Sequence, residues 1–174
     1  FRSSFFSMMT PEPHRYESLS NEVRALCEDT EHNLWVGLKD GKIRIYDKNR
    51  TELGYFTETG TISHTGVPLK GNTYCIFQDS KHNIWIATKG EGLVKARPQG
   101  GGHYKLTRYC HSRDDIYSLS DNNVYCVYED VKGRIWVATF GGGINYLTHN
   151  RGGREIFVNH RNNLKGFPID NCHK

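Results

Sequence analysis

Trp35, Trp85 and Trp136 stand 50 and 51 residues apart, and each follows an Asp by six positions. The clearest copy reads Asp130-Val131-Lys132-Gly133-Arg134-Ile135-Trp136-Val137-Ala138-Thr139-Phe140-Gly141-Gly142-Gly143. The other two run from Asp29 to Gly41 and from Asp79 to Gly92, and these three tryptophans are all that the chain has. A fixed period of this length constrains architecture more than any single residue. Each copy must be one small unit that buries its apolar face against the next.

Within a copy the pattern is that of strands and turns. Residues 23–28, 73–78 and 124–129 precede the Asp and are rich in β-branched and aromatic side chains. A polar turn follows, in which the Asp is expected to accept from backbone N–H groups two or three positions on. Asn33, Asn83 and Gly133 are the expected positive-φ positions there. A second strand begins at Leu34, Ile84 and Ile135, and small Gly37, Ala87 and Ala138 leave room for a neighbouring sheet. Gly-bearing turns lead to third strands over 42–47, 93–97 and 144–148. Fourth strands are expected over 52–57, 104–110 and 154–160. Residues 59–66 read as a polar loop. Four short antiparallel strands per repeat of about 50 residues describe a β-propeller blade. The Trp then serves as a flat filler between adjacent sheets.

The expected organisation is all-β: about three four-stranded antiparallel blades, with partial flanking blades, as a fragment of a larger propeller. Residues 1–17 are the tail of a preceding blade, 18–69, 70–120 and 121–162 are the three units, and 163–174 start a further incomplete blade. A ring closes at typically 4–8 blades, so raw faces are expected to take other blades of the same propeller or a second copy.

The motif Asp-x-x-Gly-x-Ile-Trp-Val-Ala-Thr-x-Gly-Gly-Gly over 130–143 follows Leu119, Ser120, Asn122, Val124, Tyr125, Val127 and Glu129. Together they resemble the two-component regulator propeller repeat. The first two copies depart from it: Asp40-Gly41 and Gly90-Glu91-Gly92 stand in for the triple Gly, and Leu38 for Thr. The resemblance implies the extracytoplasmic, periplasmic sensor region of a Bacteroides-type hybrid two-component histidine kinase and response regulator. It implies sensing of an oligosaccharide. The kinase, membrane span and DNA-binding parts of such receptors have no counterpart in this sequence, so no enzyme activity, membrane contact or cofactor is expected of these residues.

Composition agrees with a turn-rich all-β unit: 174 residues, 36% apolar, 18 Gly, and a net charge of +4 from mixed, scattered charges. That pattern predicts a solvated surface and no nucleic-acid groove. Cys75 and Cys126 share one repeat position, and Cys27 lies on the same strand face, so buried apolar roles are expected rather than a disulfide framework. Cys110 and Cys172 carry no pattern. The nine His have no zinc-site spacing; His32 and His82 share a turn position with Gly133. Glu28-Asp29 and Glu129-Asp130 repeat with the unit and read as structural, so no catalytic pair and no metal ligand is assigned. A propeller lyase or hydrolase is the weakest alternative; a structural or protein-interaction propeller is the stronger one.

A ligand is expected where loops enter the innermost strand and join the second strand to the third. The candidate binding residues there are Arg24, Lys39, Asn72, Tyr74, Lys89, Asn123, Tyr125 and Phe140. Tyr74 and Tyr125 lie eleven residues before their Trp, with Arg24 as counterpart. Aromatic faces stack on sugar rings, and Arg, Lys and Asn bind hydroxyls or acidic groups. The alternative for both Tyr is packing against the next blade.

Overall fold

A computed structural model describes residues 18–163. The tail assigned to 1–17 and the further blade expected past Asn163 lie outside the described residues. Among these described residues, after a 3₁₀ turn at Leu19–Asn21, thirteen strands form three antiparallel sheets. The first holds β1 (Val23–Glu28), β2 (Leu34–Leu38), β3 (Ile43–Tyr46), β4 (Glu52–Phe56) and β5 (Ile62–Ser63). The second holds β6 (Asn72–Gln78), β7 (Ile84–Lys89), β8 (Leu93–Gly100) and β9 (His103–Tyr109). The third holds β10 (Val124–Glu129), β11 (Ile135–Thr139), β12 (Gly143–His149) and β13 (Glu155–Val158). Each sheet is a simple meander in chain order. The first strands lie innermost, β1 against β6 and β6 against β10.

One expectation fails at β5. The stretch 59–66 is not all loop: Ile62 and Ser63 pair with Phe56 and Tyr55 and give the first sheet a fifth strand. Bridges Thr57↔Pro68 and Thr61↔His103 then tie this excursion to the next blade's lead-in and to β9. Its few apolar residues hid a short edge strand.

The core lies between sheets rather than within one. Trp35, Ile43, Ile45 and Phe56 of the first sheet meet Ile76, Ile84, Ile86 and Val94 of the second. Trp85, Ala87 and Leu93 of the second meet Val124, Val127, Val137 and Phe157 of the third. Trp35 and Trp85 are fully buried at 0% and 1% exposure. Tyr104 of β9 packs edge-on to Trp35 and Phe56 with ring centres 5.6 and 5.5 Å apart, and burial pushes its phenol up to about 12. The small residue two positions after Trp35 lets the next inner strand come close: a Cβ on Gly37 would stand 3.1 Å from Thr73 Cγ2.

The repeated Asp does more than turn the chain. Asp29 Oδ1 accepts from the N–H groups of Glu31 and Asn33, two and four positions on, while Oδ2 accepts Trp35 Nε1–H at 2.9 Å. Asp79 does the same for Lys81, Asn83 and Trp85, and Asp130 for Lys132, Arg134 and Trp136. The positive-φ residues are His32 and His82, at 63° each, and Gly133 at 73°, not Asn33 or Asn83. The Asn side chains instead donate to the Asp carboxylate. The cysteine expectation also needs correction. Cys27 and Cys75 are half-buried and Cys126 is exposed. Each points at the following blade, and among the described residues no blade follows the third.

Candidate ligand-binding face

At the same place in every blade the inner strand carries a bulge. Val23 pairs with Leu38 and Ala25 with Gly37, so Arg24 has no opposite number. Thr73 and Cys75 bracket Tyr74 in the same way, and Val124 and Cys126 bracket Tyr125. A bulge re-aims the extra side chain and sharpens the local twist. The residues eleven before each Trp are therefore the re-aimed ones.

They meet one another. The Tyr74 and Tyr125 rings lie edge to face, 5.2 Å between centres at 68°. Tyr125 meets Phe140 at 5.7 Å and 84°. The Arg24 guanidinium stands 5.4 Å from the Tyr74 ring centre. One ladder, Arg24–Tyr74–Tyr125–Phe140, thus crosses all three blades at one end of the strands. Both Tyr are half-buried against each other, and Phe140 is exposed. Packing between blades and an accessible aromatic surface coexist here. Each such ring contact is worth about 0.5–1.5 kcal/mol beyond area.

The other candidates sit at a second repeat position beside the ladder. The residue thirteen before Trp opposes the residue four after it: Asn72 with Lys89 by strand register, Asn123 with Phe140 and Glu22 with Lys39 by Phe140 N–H and Lys39 N–H donating to the Asn123 and Glu22 carbonyls. Lys39 Nζ also binds the Glu22 carboxylate at 2.7 Å. Asn123 spends its amide on Asp121 at 3.0 Å. Asn72 and Lys89 remain exposed. Sequence reasoning put the loop 21–24 on this face but did not single out Glu22, although its place thirteen before Trp35 was the signal. It also passed over Lys42 and Lys70, which flank a groove of about 450 Å³ between the first two blades together with Asp40, Asn72, Lys89 and Glu91.

Among the described residues no group of three or more His, Cys, Asp or Glu is placed to hold a metal ion, and no helix is long and apolar enough to cross a membrane.

Successive antiparallel sheets of four or five strands, each carrying one Trp at the same position, define the class: these are β-propeller blades. Residues 17–40, 68–90 and 118–141 match the two-component regulator propeller family, one match at the inner two strands of each blade. A histidine kinase of Formosa agariphila, named Histidine kinase P4, is 27% identical over 89 residues, which is 51% of this chain and 6% of that protein. The crystal structure of the extracellular domain of a putative hybrid two-component system from B. thetaiotaomicron superposes with a TM-score of 0.63 at 24% identity, covering 95% of this chain and 20% of that one. Virginiamycin B lyase from Staphylococcus aureus is similar in fold, with a TM-score of 0.50 at 15% identity over 79% of this chain and 41% of the lyase. The chain therefore spans a small part of the length of the relatives it matches.

Proposed function

We propose that these blades belong to the extracytoplasmic, periplasmic sensing propeller of a hybrid two-component histidine kinase, and that the ladder face binds an oligosaccharide or relays its binding between blades. The observation that carries this reading is the Arg24–Tyr74–Tyr125–Phe140 ladder, whose first three members hold one repeat position, one in each blade, and which crosses both seams. A strip of ring edges and faces, flanked by Asn72 and Lys89, has the chemistry that sugar rings and their hydroxyls need. The kinase relative and the extracellular-domain likeness support the sensor context. Recognition rather than bond-making is the work we assign to this segment.

Titration calorimetry with oligosaccharide fragments tests it. Tyr74→Ala and Tyr125→Ala are each expected to weaken binding about tenfold, since one lost aromatic contact is worth roughly a kcal/mol. Melting should fall by only a few degrees, roughly what a kcal/mol costs a chain of this size. Unchanged affinity with a large loss of stability would leave the Tyr as packing alone.

A protein-interaction role is favoured by a different observation. The outer face of the third sheet is an apolar hollow lined by Cys126, Tyr128, Trp136, Val137, Ala138 and Ile144. We infer that this face takes another blade of the same repeat, from the same polypeptide or from a second copy.

A further inference from the structure

The two seams between neighbouring blades come from the same repeat but close differently at the ladder end. At the second seam the Asn122 carbonyl accepts from Gly90 N–H at 3.1 Å and Gly92 N–H at 2.9 Å. These bonds stitch the turn after β7 to the lead-in of the third blade. The matching turn of the first blade is Lys39-Asp40-Gly41-Lys42, with Lys42 in the place of Gly92. The Lys42 N–H is turned onto its own Asp40 Oδ1 at 2.9 Å. Among the described residues no backbone hydrogen bond joins this turn to the second blade's lead-in. The seam stays open as the groove of about 450 Å³, within the range of small-ligand sites of roughly 300–1,000 Å³.

The groove is held in shape. Leu69 N–H donates to the Phe56 carbonyl, and the bridge Thr57↔Pro68 fixes the lead-in on the first sheet. Arg108 donates to the carbonyls of Lys70 and Glu91, at 3.3 and 3.0 Å, and to the Glu58 carboxylate at 3.2 Å. A site fixed this way needs little ordering when a ligand enters.

Its charges are unequal. Lys42, Lys70 and Lys89 face Asp40 and Glu91. Glu91 is engaged by Lys70 at 3.0 Å, and one Asp40 oxygen caps its own turn. Lys42 Nζ lies 5.2 Å from the Tyr55 ring centre, and neither Lys42 nor Lys89 has an ion pair among the described residues. Asn72 stands opposite Lys89 in strand register, and a Cβ on Gly41 would be 3.7 Å from its Oδ1, so its amide reaches across the seam. Two ammonium groups without a carboxylate, one amide, and room for a sugar ring define a site for an anion carried on a saccharide.

We propose that the open seam between the first and second blades binds the acidic unit of a saccharide, a ring bearing a carboxylate or a sulfate, with Lys89 and Lys42 facing the anion and Asn72 a neighbouring hydroxyl. This rests on the glycan-sensing reading and narrows it to acidic glycans. Asn72 is two residues before Tyr74 on β6, so a chain seated in the groove continues onto the ladder.

Calorimetric titration of the chain with digalacturonate, a sulfated lactose and neutral lactose tests it. The sulfate and carboxylate arms tell which acid is preferred. Acidic binding is expected to exceed neutral binding, to weaken with added salt, and to fall about tenfold in Lys89→Gln, the worth of one hydrogen bond to a charged group. Lys89→Glu should abolish it, while Lys132→Gln at the opposite rim leaves it unchanged. Equal binding of neutral lactose, or acidic binding indifferent to Lys89, overturns the inference. Neutral binding lost in Tyr74→Ala but kept in Lys89→Gln leaves the sensing reading standing and removes only the seam. Binding of no saccharide removes both.

Discussion

At the scale of the residue, the six-position spacing of Asp and Trp is a hydrogen-bond constraint. One carboxylate oxygen closes the hairpin turn through two backbone N–H groups, and the other holds the indole N–H that would otherwise be orphaned in the seam. Asp79 is 6% exposed and accepts four such bonds. Asp79→Ala strands the Trp85 N–H and frees the turn. It should cost about 2–4 kcal/mol, the sum of a few lost charge-assisted bonds, read as a lower denaturation midpoint with unchanged slope. In the third blade the Trp136 N–H, with Arg134 beside it, holds the Asp130 carboxyl well below the usual carboxylate range. The same turn explains a residue swap that the repeat alone left unexplained. His32, His82 and Gly133 share a left-handed backbone position that is cheap only for Gly.

Among the elements, the seams are closed by polar straps as well as by apolar packing. At the turn end, Thr30 N–H donates to Gln78 Oε1 at 2.8 Å and Ser80 N–H to Glu129 Oε2 at 2.7 Å. Donor and acceptor hold the same repeat positions each time. Further out, Glu155 of β13 reaches across to the second sheet, where it accepts the Tyr109 hydroxyl and pairs with Lys95 at 3.0 Å. Burial pushes the Glu155 carboxyl up, but the Tyr109 hydroxyl and Lys95 outweigh it, and the net shift is downward. Burial and the Glu155 bond push the Tyr109 phenol upward. A carboxyl held low stabilises the fold above its unfolded value near 4.3, and that stability goes as pH falls through the lower folded value. Glu155→Gln should therefore be about 1–2 kcal/mol less stable than the natural chain at neutral pH. The gap should narrow below about pH 4, as followed by denaturant unfolding across pH. A gap constant down to pH 2 would show that the charge has no part in the strap.

For the whole molecule, the same surfaces are covered in the interior and bare at the ends. Ile76 and Val127 are 6% and 4% exposed where a preceding blade packs on them, while Leu26 at the same position of the first blade is 59% exposed. Trp85 is buried by the third sheet, whereas Tyr128 beside Trp136 is 57% exposed. Apolar faces of this kind favour docking of a like surface. Light scattering of the chain should show mass rising with concentration, and Tyr128→Glu should suppress it. A concentration-independent monomer would show that neither face recruits a second copy.

The repeat was fully legible in the sequence because a period of about 50 residues, alternating apolar runs and Gly turns are local properties, so strands β1, β2, β6, β7, β10 and β11 begin within a residue of where the pattern puts them. Equivalence of Arg24, Tyr74 and Tyr125 was legible for the same reason. What only tertiary structure decided was contact across seams: that a bulge turns those three onto one another, that the Asp reaches the indole, that Cys126 is more exposed than Cys75, and that one seam is stitched shut while the other gapes. These depend on distances between residues roughly 50 apart in sequence, set by how one sheet lies on the next, and a one-dimensional pattern records which positions are equivalent without recording which of them touch.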